Sequence, residues 1–220
     1  MNPTTPQPVL PRRRPELLRN GAFSLIELLT VIAIIGVLAA ILTPVLGRVR
    51  ESSKSTRCVT NLRQAGVAIQ AYASDNKGSL PPAGFFGISA YYNKDPRNFQ
   101  NSLLPYLSLT AATTWSTTTI ADMAHSAVLD CPSYKGAEGG KCYTLQQTVT
   151  AADGTQFKPW GLVADVYGTV KPKPLKIATL PDNAWAMRDS EPSATELSHS
   201  DARNTLFFDG HVARVVAVNN

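Results

Sequence analysis

The stretch Ala22-Phe-Ser-Leu-Ile-Glu-Leu-Leu-Thr-Val-Ile-Ala-Ile-Ile-Gly-Val-Leu-Ala-Ala-Ile41 decides how this 220-residue chain is read. Continued to Gly47 it holds 19 hydrophobic residues among 26, and from Leu28 to Gly47 there are 20 residues without a charge. Twenty helical residues at 1.5 Å each span about 30 Å, the thickness of a bilayer's hydrocarbon core. This is the density of a membrane-spanning helix. One acid interrupts it. Glu27 lies one turn in, where an ionised carboxylate costs about 2.5–3.5 kcal/mol or more unless it is paired. Pro44, near the other end, removes a backbone donor and crowds the preceding turn, which predicts a kink or a local opening, with a simple helix end as the alternative.

Toward the N-terminus, Met1 to Pro11 carries Pro3, Pro6, Pro8 and Pro11 among Thr and Gln and cannot build a hydrophobic face, so it reads as unstructured. Arg12, Arg13, Arg14 and Arg19 against Glu16 place +3 of the chain's +5 before the apolar run. By the positive-inside rule this leaves the N-terminus in the cytoplasm and carries the rest across the inner membrane in a single pass. A secretory signal is a poor fit: Val37-Leu38-Ala39 could be cut, but the leader is long and the apolar run continues past it. A plain signal anchor fits the length and leaves Glu27 unexplained. The later basic cluster, Lys171-Pro-Lys173-Pro and Lys176, has no interleaved aromatics and too few cations for a phosphate-backbone footprint, so no nucleic acid is expected as partner.

Toward the C-terminus, Arg48 to Ala73 has no proline, and Val59, Leu62, Ala65, Ile69 and Tyr72 recur at spacings of three and four, one face of an amphipathic helix. Asp75-Asn-Lys-Gly78 and Pro81-Pro82 end it. From Phe23 to Ala73 is 51 residues, about 75 Å of continuous helix. Ser79 to Asn220 reads as short strands punctuated by Gly and Pro, with a Thr-rich loop or edge at Ser108 to Thr119. Asn204–Phe208 and His211–Val218, flanking Asp209-Gly210, predict an antiparallel hairpin with a two-residue type I′ turn, which needs positive φ at both turn residues. The expected fold class is α+β: a long N-terminal helix packed on a small antiparallel sheet. The expected organisation is a leader over 1–22, a membrane helix over 23–47, an amphipathic half over 48–78 and a β-rich exported head over 79–220.

His199, Asp201, Asp209 and His211 are candidate metal ligands by type, and Asp182, Asp189 and Glu191 could supply calcium oxygens, but neither set has the spacing of a closed zinc site or an EF-hand. The blander reading has Asp209 shaping a turn, His199 packing beside it, and the other acids in solvated loops. No G-x-S-x-G elbow or H-E-x-x-H pair is present. Gly139-Gly140-Lys141-Cys142 resembles a phosphate loop only superficially, because position 135 is Lys and Cys142 stands where Ser or Thr would bind Mg²⁺. No catalytic residue, metal or cofactor is expected. Cys58, Cys131 and Cys142 are an odd set for an oxidising compartment, so at most one bridge can form within the chain; Cys131 to Cys142 is the local option and three free thiols the other.

The N-terminal run resembles the type IV prepilin signature, in which a small residue precedes Phe and Glu is the fifth mature residue. With Phe23 as the first, Glu27 is fifth and Pro44 twenty-second, where pilins also have proline. Ala22 stands where Gly is usual. The resemblance implies cleavage between Ala22 and Phe23 by a prepilin peptidase, methylation of the Phe23 amine, and retention of the apolar helix. It also implies assembly with other pilin or pseudopilin subunits by inner-membrane machinery. The chemistry gives Glu27 a purpose: in a dry helix bundle the freed amine of a neighbouring Phe23 is a cation that can pair with it.

Further along, His199 followed after nine residues by Asp209-Gly210 resembles the motif of the prepilin-type processing-associated H-X9-DG proteins, with Ser198 where members often have Arg. Arg57-Cys58-Val-Thr-Asn61-Leu62-Arg63-Gln64 and Cys131-Pro132-Ser133 also look like that family, whose cysteines at both positions imply a Cys58–Cys131 bridge. The expectation is therefore a structural subunit of a type IV pilus or type II secretion pseudopilus. The alternative is a membrane-anchored periplasmic protein that binds a ligand or metal and does not polymerise.

Overall fold

A computed structural model describes residues 24–115, 119–161, 173–181, 183–190 and 202–216. Helix α1 runs over Leu25–Asp75, with Pro44 inside it rather than at its end. The chain divides into two compact units between Leu46 and Gly47, and α1 contributes to both.

In the first unit, every described residue from Ser24 to Leu46 is exposed. The helix is long and apolar enough to cross a membrane, and none of its apolar window is covered by protein. Its hydroxyls are turned inward on the backbone: Thr30 donates to the Glu27 carbonyl at 3.0 Å and Thr43 to the Ala39 carbonyl at 2.7 Å. Hydroxyls satisfied in this way expose little polarity to lipid.

In the second unit the rest of α1 buries Cys58, Leu62, Ala65, Gly66, Ala68, Ile69 and Ala73. The predicted stripe is there with its centre moved by a fraction of a turn, so that Val59 and Tyr72 lie half-buried on its margins. Beyond Asp75 the Gly78 N–H reaches back to the Ala73 carbonyl (2.7 Å), and Lys77 and Gly78 have φ of 58° and 81°. This is a left-handed helix cap, with Lys77 taking the position that glycine usually holds.

The head contains β1 (Gly87–Ser89), β2 (Tyr91–Tyr92), α2 (Phe99–Leu103), β3 (Ala124–His125), β4 (Lys141–Leu145), β5 (Val149–Thr150), β6 (Gln156–Phe157), β7 (Trp185–Asp189), β8 (Ala202–Phe207) and β9 (Val212–Val216). Strands β1, β4, β7, β8 and β9 form one antiparallel sheet in the order β1-β4-β7-β8-β9, and β2/β3 and β5/β6 form two small ladders. The helix lies close on β8: a Cβ added at Gly66 would come within 2.8 Å of Leu206 Cδ1, so the absence of a side chain there sets the packing distance. Leu62, Ala65 and Ile69 join Tyr143, Leu145, Met187 and Leu206 in one core, capped by Trp160, whose ring centroid is 5.4 Å from those of both Phe99 and Phe208. The α+β architecture of a long helix packed on a small antiparallel sheet is thus the one the sequence predicted.

The C-terminal hairpin exists as β8 and β9, but its turn differs from expectation. The Gly210 N–H donates to the Phe207 carbonyl at 3.0 Å and the Phe207 N–H to the His211 carbonyl at 2.9 Å, so three residues, Phe208 to Gly210, make the loop. Only Gly210 has positive φ (93°); among described non-glycine residues that property belongs to Lys77 and Ser108, not to Asp209. The turn is a type I turn closed by a left-handed glycine. Asp-Gly is compatible with both geometries. The deciding feature is that Phe208 belongs to the loop, where its ring packs against Trp160.

Candidate functional site

The first unit places Glu27 in the opening turn of α1, and the Ser24 N–H donates to its Oε2 at 2.9 Å. The Glu27 and Leu28 N–H groups both reach the Ser24 carbonyl, at 3.0 and 3.3 Å. This is the Ser-x-x-Glu arrangement in which a third-position carboxylate satisfies the backbone donor of the capping residue. The acid therefore has a local role in starting the helix, which reading it only as an ion-pair partner overlooked. The signal was present in the sequence as Ser24-Leu-Ile-Glu27. Ala22 and Phe23, the expected cleavage and methylation positions, lie outside the described residues.

A second cluster sits where the membrane-distal half of α1 meets the head. Cys58 and Cys131 form a disulfide, with Cα atoms 5.1 Å apart across 73 residues of sequence, while Cys142 is free and buried. One turn along the helix from Cys58, the Asn61 side-chain amide donates to the Ala127 and Asp130 carbonyls at 3.3 and 2.7 Å. Those carbonyls open and follow a 3-10 turn over Ala127–Leu129, with Asp130 as its C-cap, and its start is held by the Leu129 N–H donating to Ser126 Oγ at 3.2 Å. The two segments grouped in the sequence, Arg57 to Gln64 and Cys131 to Ser133, are thus joined in one clasp through Cys58, Asn61 and Cys131. Asn61 supplies hydrogen bonds beside the covalent link. Its role was missed, although its spacing from Cys58, three residues on the same helical face, carries the signal.

Cys142 Sγ lies 3.9 Å from Asp130 Oδ1, and burial pushes its thiol above the ordinary range, with that carboxylate adding to the shift. A neutral buried thiol is a poor nucleophile. Iodoacetamide at neutral pH is accordingly expected to leave Cys142 unmodified in the folded chain and to modify it after denaturation; rapid native labelling, read by mass, would contradict this.

The hairpin residues form a third group. Asp209 accepts the His211 backbone N–H at 3.1 Å and ring Nδ1 at 2.6 Å, and the His211 ring stacks on Phe207 with centroids 4.3 Å apart. The interaction with His211 holds the Asp209 carboxyl below the usual carboxylate range. Asp209 and His211 are therefore brought together as a turn lock. His199 and Asp201 lie outside the described residues, as do Asp182 and Glu191. Asp189 corrects the expectation of a solvated loop acid: it is on β7, buried, and accepts the Asn204 backbone N–H at 2.9 Å. Among the described residues no three His, Cys, Asp or Glu side chains group as a metal site. Gly139 and Gly140 lead directly into strand β4 rather than into the helix a phosphate loop requires, and Gly136 and Gly140 instead leave room for the Tyr134 ring.

Because a Cβ at Gly210 would meet nothing within 4 Å, its substitution is a pure test of backbone conformation. Gly210→Val should cost about 1–2 kcal/mol through the left-handed φ, and Asp209→Ala should cost less because its bonds are exposed. Urea melts of the two variants check the order, and equal or inverted losses would contradict it.

Residues 17–43 match the family model of the prokaryotic N-terminal methylation motif. No curated protein and no solved structure matches the chain. The N-terminus is thus of the prepilin type, a signature followed by a long apolar helix and an α+β head consistent with the pilin fold.

Proposed function

We propose that the chain is a structural, non-catalytic subunit of a type IV pilus or a type II secretion pseudopilus, cleaved between Ala22 and Phe23 and methylated on Phe23. The carrying observation is the fully exposed apolar helix with Glu27 in its first turn, inside the matched methylation motif. Before assembly the helix is covered by lipid, and afterwards by the helices of other subunits. The clasp at Cys58–Cys131 and Asn61 holds the exported head to its spine as subunits move from membrane to polymer.

The orientation follows from processing rather than from flank charge. The positive-inside expectation rested on the four arginines before the apolar run; Arg48, Arg50, Lys54, Arg57 and Arg63 follow it, so flank cations on their own do not favour one side. A leader cut by a cytoplasmic-side peptidase does, leaving the head exported. Mass spectrometry of the mature N-terminus, from cells with an active prepilin peptidase, is expected to find methylated Phe23. An intact Met1, or a chain beginning near Ala40, would overturn the proposal.

A further inference from the structure

Along the chain, the apolar run of α1 is followed by a stem, residues 47–57, in which every residue but the half-buried Ser55 is exposed, and Cys58 is the first buried residue of the helix. The stem carries Arg48, Arg50, Lys54 and Arg57 against Glu51, a net +3. The +5 of the full chain less the +3 of residues 1–22 leaves +2 from Phe23 onward, so the stem holds more positive charge than the rest of that stretch balances. Arg50, Lys54 and Arg57 stand at i, i+4 and i+7, which puts three of the four cations on one helical face. Among the described residues one acid pairs with them, Glu51 with Lys54 at 3.8 Å, both exposed. Like charges at three- and four-residue spacing repel along a helix, and burial of α1 against the head begins only at Cys58.

What these side chains meet follows from their place. Arg48 comes directly after Gly47, where the uncharged run ends, and the headgroup layer beyond a bilayer's hydrocarbon is about 5–7 Å deep. At 1.5 Å per helical residue Arg48 and Arg50 fall within that layer, and Lys54 and Arg57 follow at about 10 and 15 Å. Helical side chains lean toward the N-terminus of their own helix. For this stem that is the direction of the membrane, so the long Lys54 and Arg57 side chains lean back toward the headgroups over a distance close to the Debye length of about 10 Å. Three of the four cations are arginines, whose planar fork matches two phosphate oxygens at once. We infer that the stem binds anionic phospholipids in the leaflet on the head's side of the membrane, through Arg48, Arg50, Lys54 and Arg57. The inference rests on α1 crossing a membrane, which the filament reading shares with an anchored protein that does not polymerise.

The test uses the full chain in bilayers of phosphatidylcholine and phosphatidylglycerol with a spin-labelled probe of each lipid, and the fraction of each probe immobilised by the protein gives its relative preference. Arg12, Arg13, Arg14 and Arg19 also attract anions, so they are first replaced by glutamine, which leaves the stem as the basic cluster beside the membrane helix. This chain is expected to prefer phosphatidylglycerol about fivefold at low salt, the effect of roughly one fully effective cation at the surface. At about 1 M salt, where the Debye length falls to about 3 Å, most of the preference should go. Replacing Arg48, Arg50, Lys54 and Arg57 by glutamine as well should bring the two probes to parity. The head's melting temperature should stay unchanged, because all four side chains are exposed and glutamine has similar helix propensity. Glu51→Gln, which removes the acid paired with Lys54, should raise the preference. Should the fourfold stem replacement fail to insert, Arg48→Gln with Arg50→Gln decides by lowering the preference about twofold or more. Parity before the stem is changed, a preference that the stem replacement leaves intact, or one indifferent to salt overturns the inference. So does a stem replacement that removes crosslinked copies of the chain while lipid preference stays, which assigns these cations to a neighbouring subunit. A chain that polymerises normally without a lipid preference loses this inference alone, and one that shows the preference without polymer loses the filament reading and keeps the lipid site.

Discussion

Replacing Cys58 and Cys131 together by alanine is expected to lower stability by about 4 kcal/mol, the loop-entropy value for a bridge closing the 73-residue separation seen here. For a chain of this size that is roughly 8–16 °C in melting temperature. The loss should fall on the clasp as a whole. Both cysteines are in the core, at 0% and 2% exposure, and the Asn61 bonds to Ala127 and Asp130 depend on the same loop staying against the helix. A double-mutant cycle with Asn61→Ala should therefore be non-additive, with Asn61→Ala costing less once the bridge is gone. Cys142→Ala is the control, since its thiol joins no disulfide. Melts of the full chain with and without reductant read the effect. A difference under 1 kcal/mol, or peptide maps linking Cys131 to Cys142, would remove the clasp as a stabilising device.

The parts legible in the sequence are those written in local pattern. The apolar density from Leu28 to Gly47 and the three- and four-residue spacing from Leu62 to Ile69 announce a helix whatever surrounds it. Alternation around Asp209-Gly210 likewise announces a hairpin. What the pattern leaves open is set by distant partners. Phe208 continues the apolar run of β8 in the sequence, yet in the structure it belongs to a three-residue turn with its ring against Trp160. Asp189 reads as a loop acid because strand β7 is short and apolar only in part, and its burial depends on pairing with both β4 and β8. The Nδ2 of Asn204, buried without an acceptor among the described residues, has no sequence signature at all. Unpaired and paired amides are the same letter, and only burial without an acceptor among the described residues distinguishes them.

Glu27→Gln is expected to abolish polymer while leaving membrane insertion and the head's stability unchanged. The substitution is clean for a structural reason. In the opening turn of α1 the Glu27 carboxylate accepts the Ser24 N–H, and glutamine can do the same from the third helical position, so the helix start is preserved and only the charge is lost. In lipid the neutral amide is easier to place than the acid, which predicts insertion at least as efficient as wild type. In the polymer the acid would meet the methylated amine of a neighbouring Phe23 in a water-free helix interface, where removing one partner of a buried ion pair costs about 3–5 kcal/mol. That penalty recurs with each added subunit, so even its lower bound suppresses each addition step more than a hundredfold. Glu27→Ala should be worse than Glu27→Gln in monomer yield, because it also strips the helix cap. The measurement expresses wild type and both variants with a matching filament machinery and compares sheared or crosslinked polymer against membrane monomer. Equal polymer from wild type and Glu27→Gln would leave the exposed apolar helix as a plain anchor and remove the physical basis of the subunit reading.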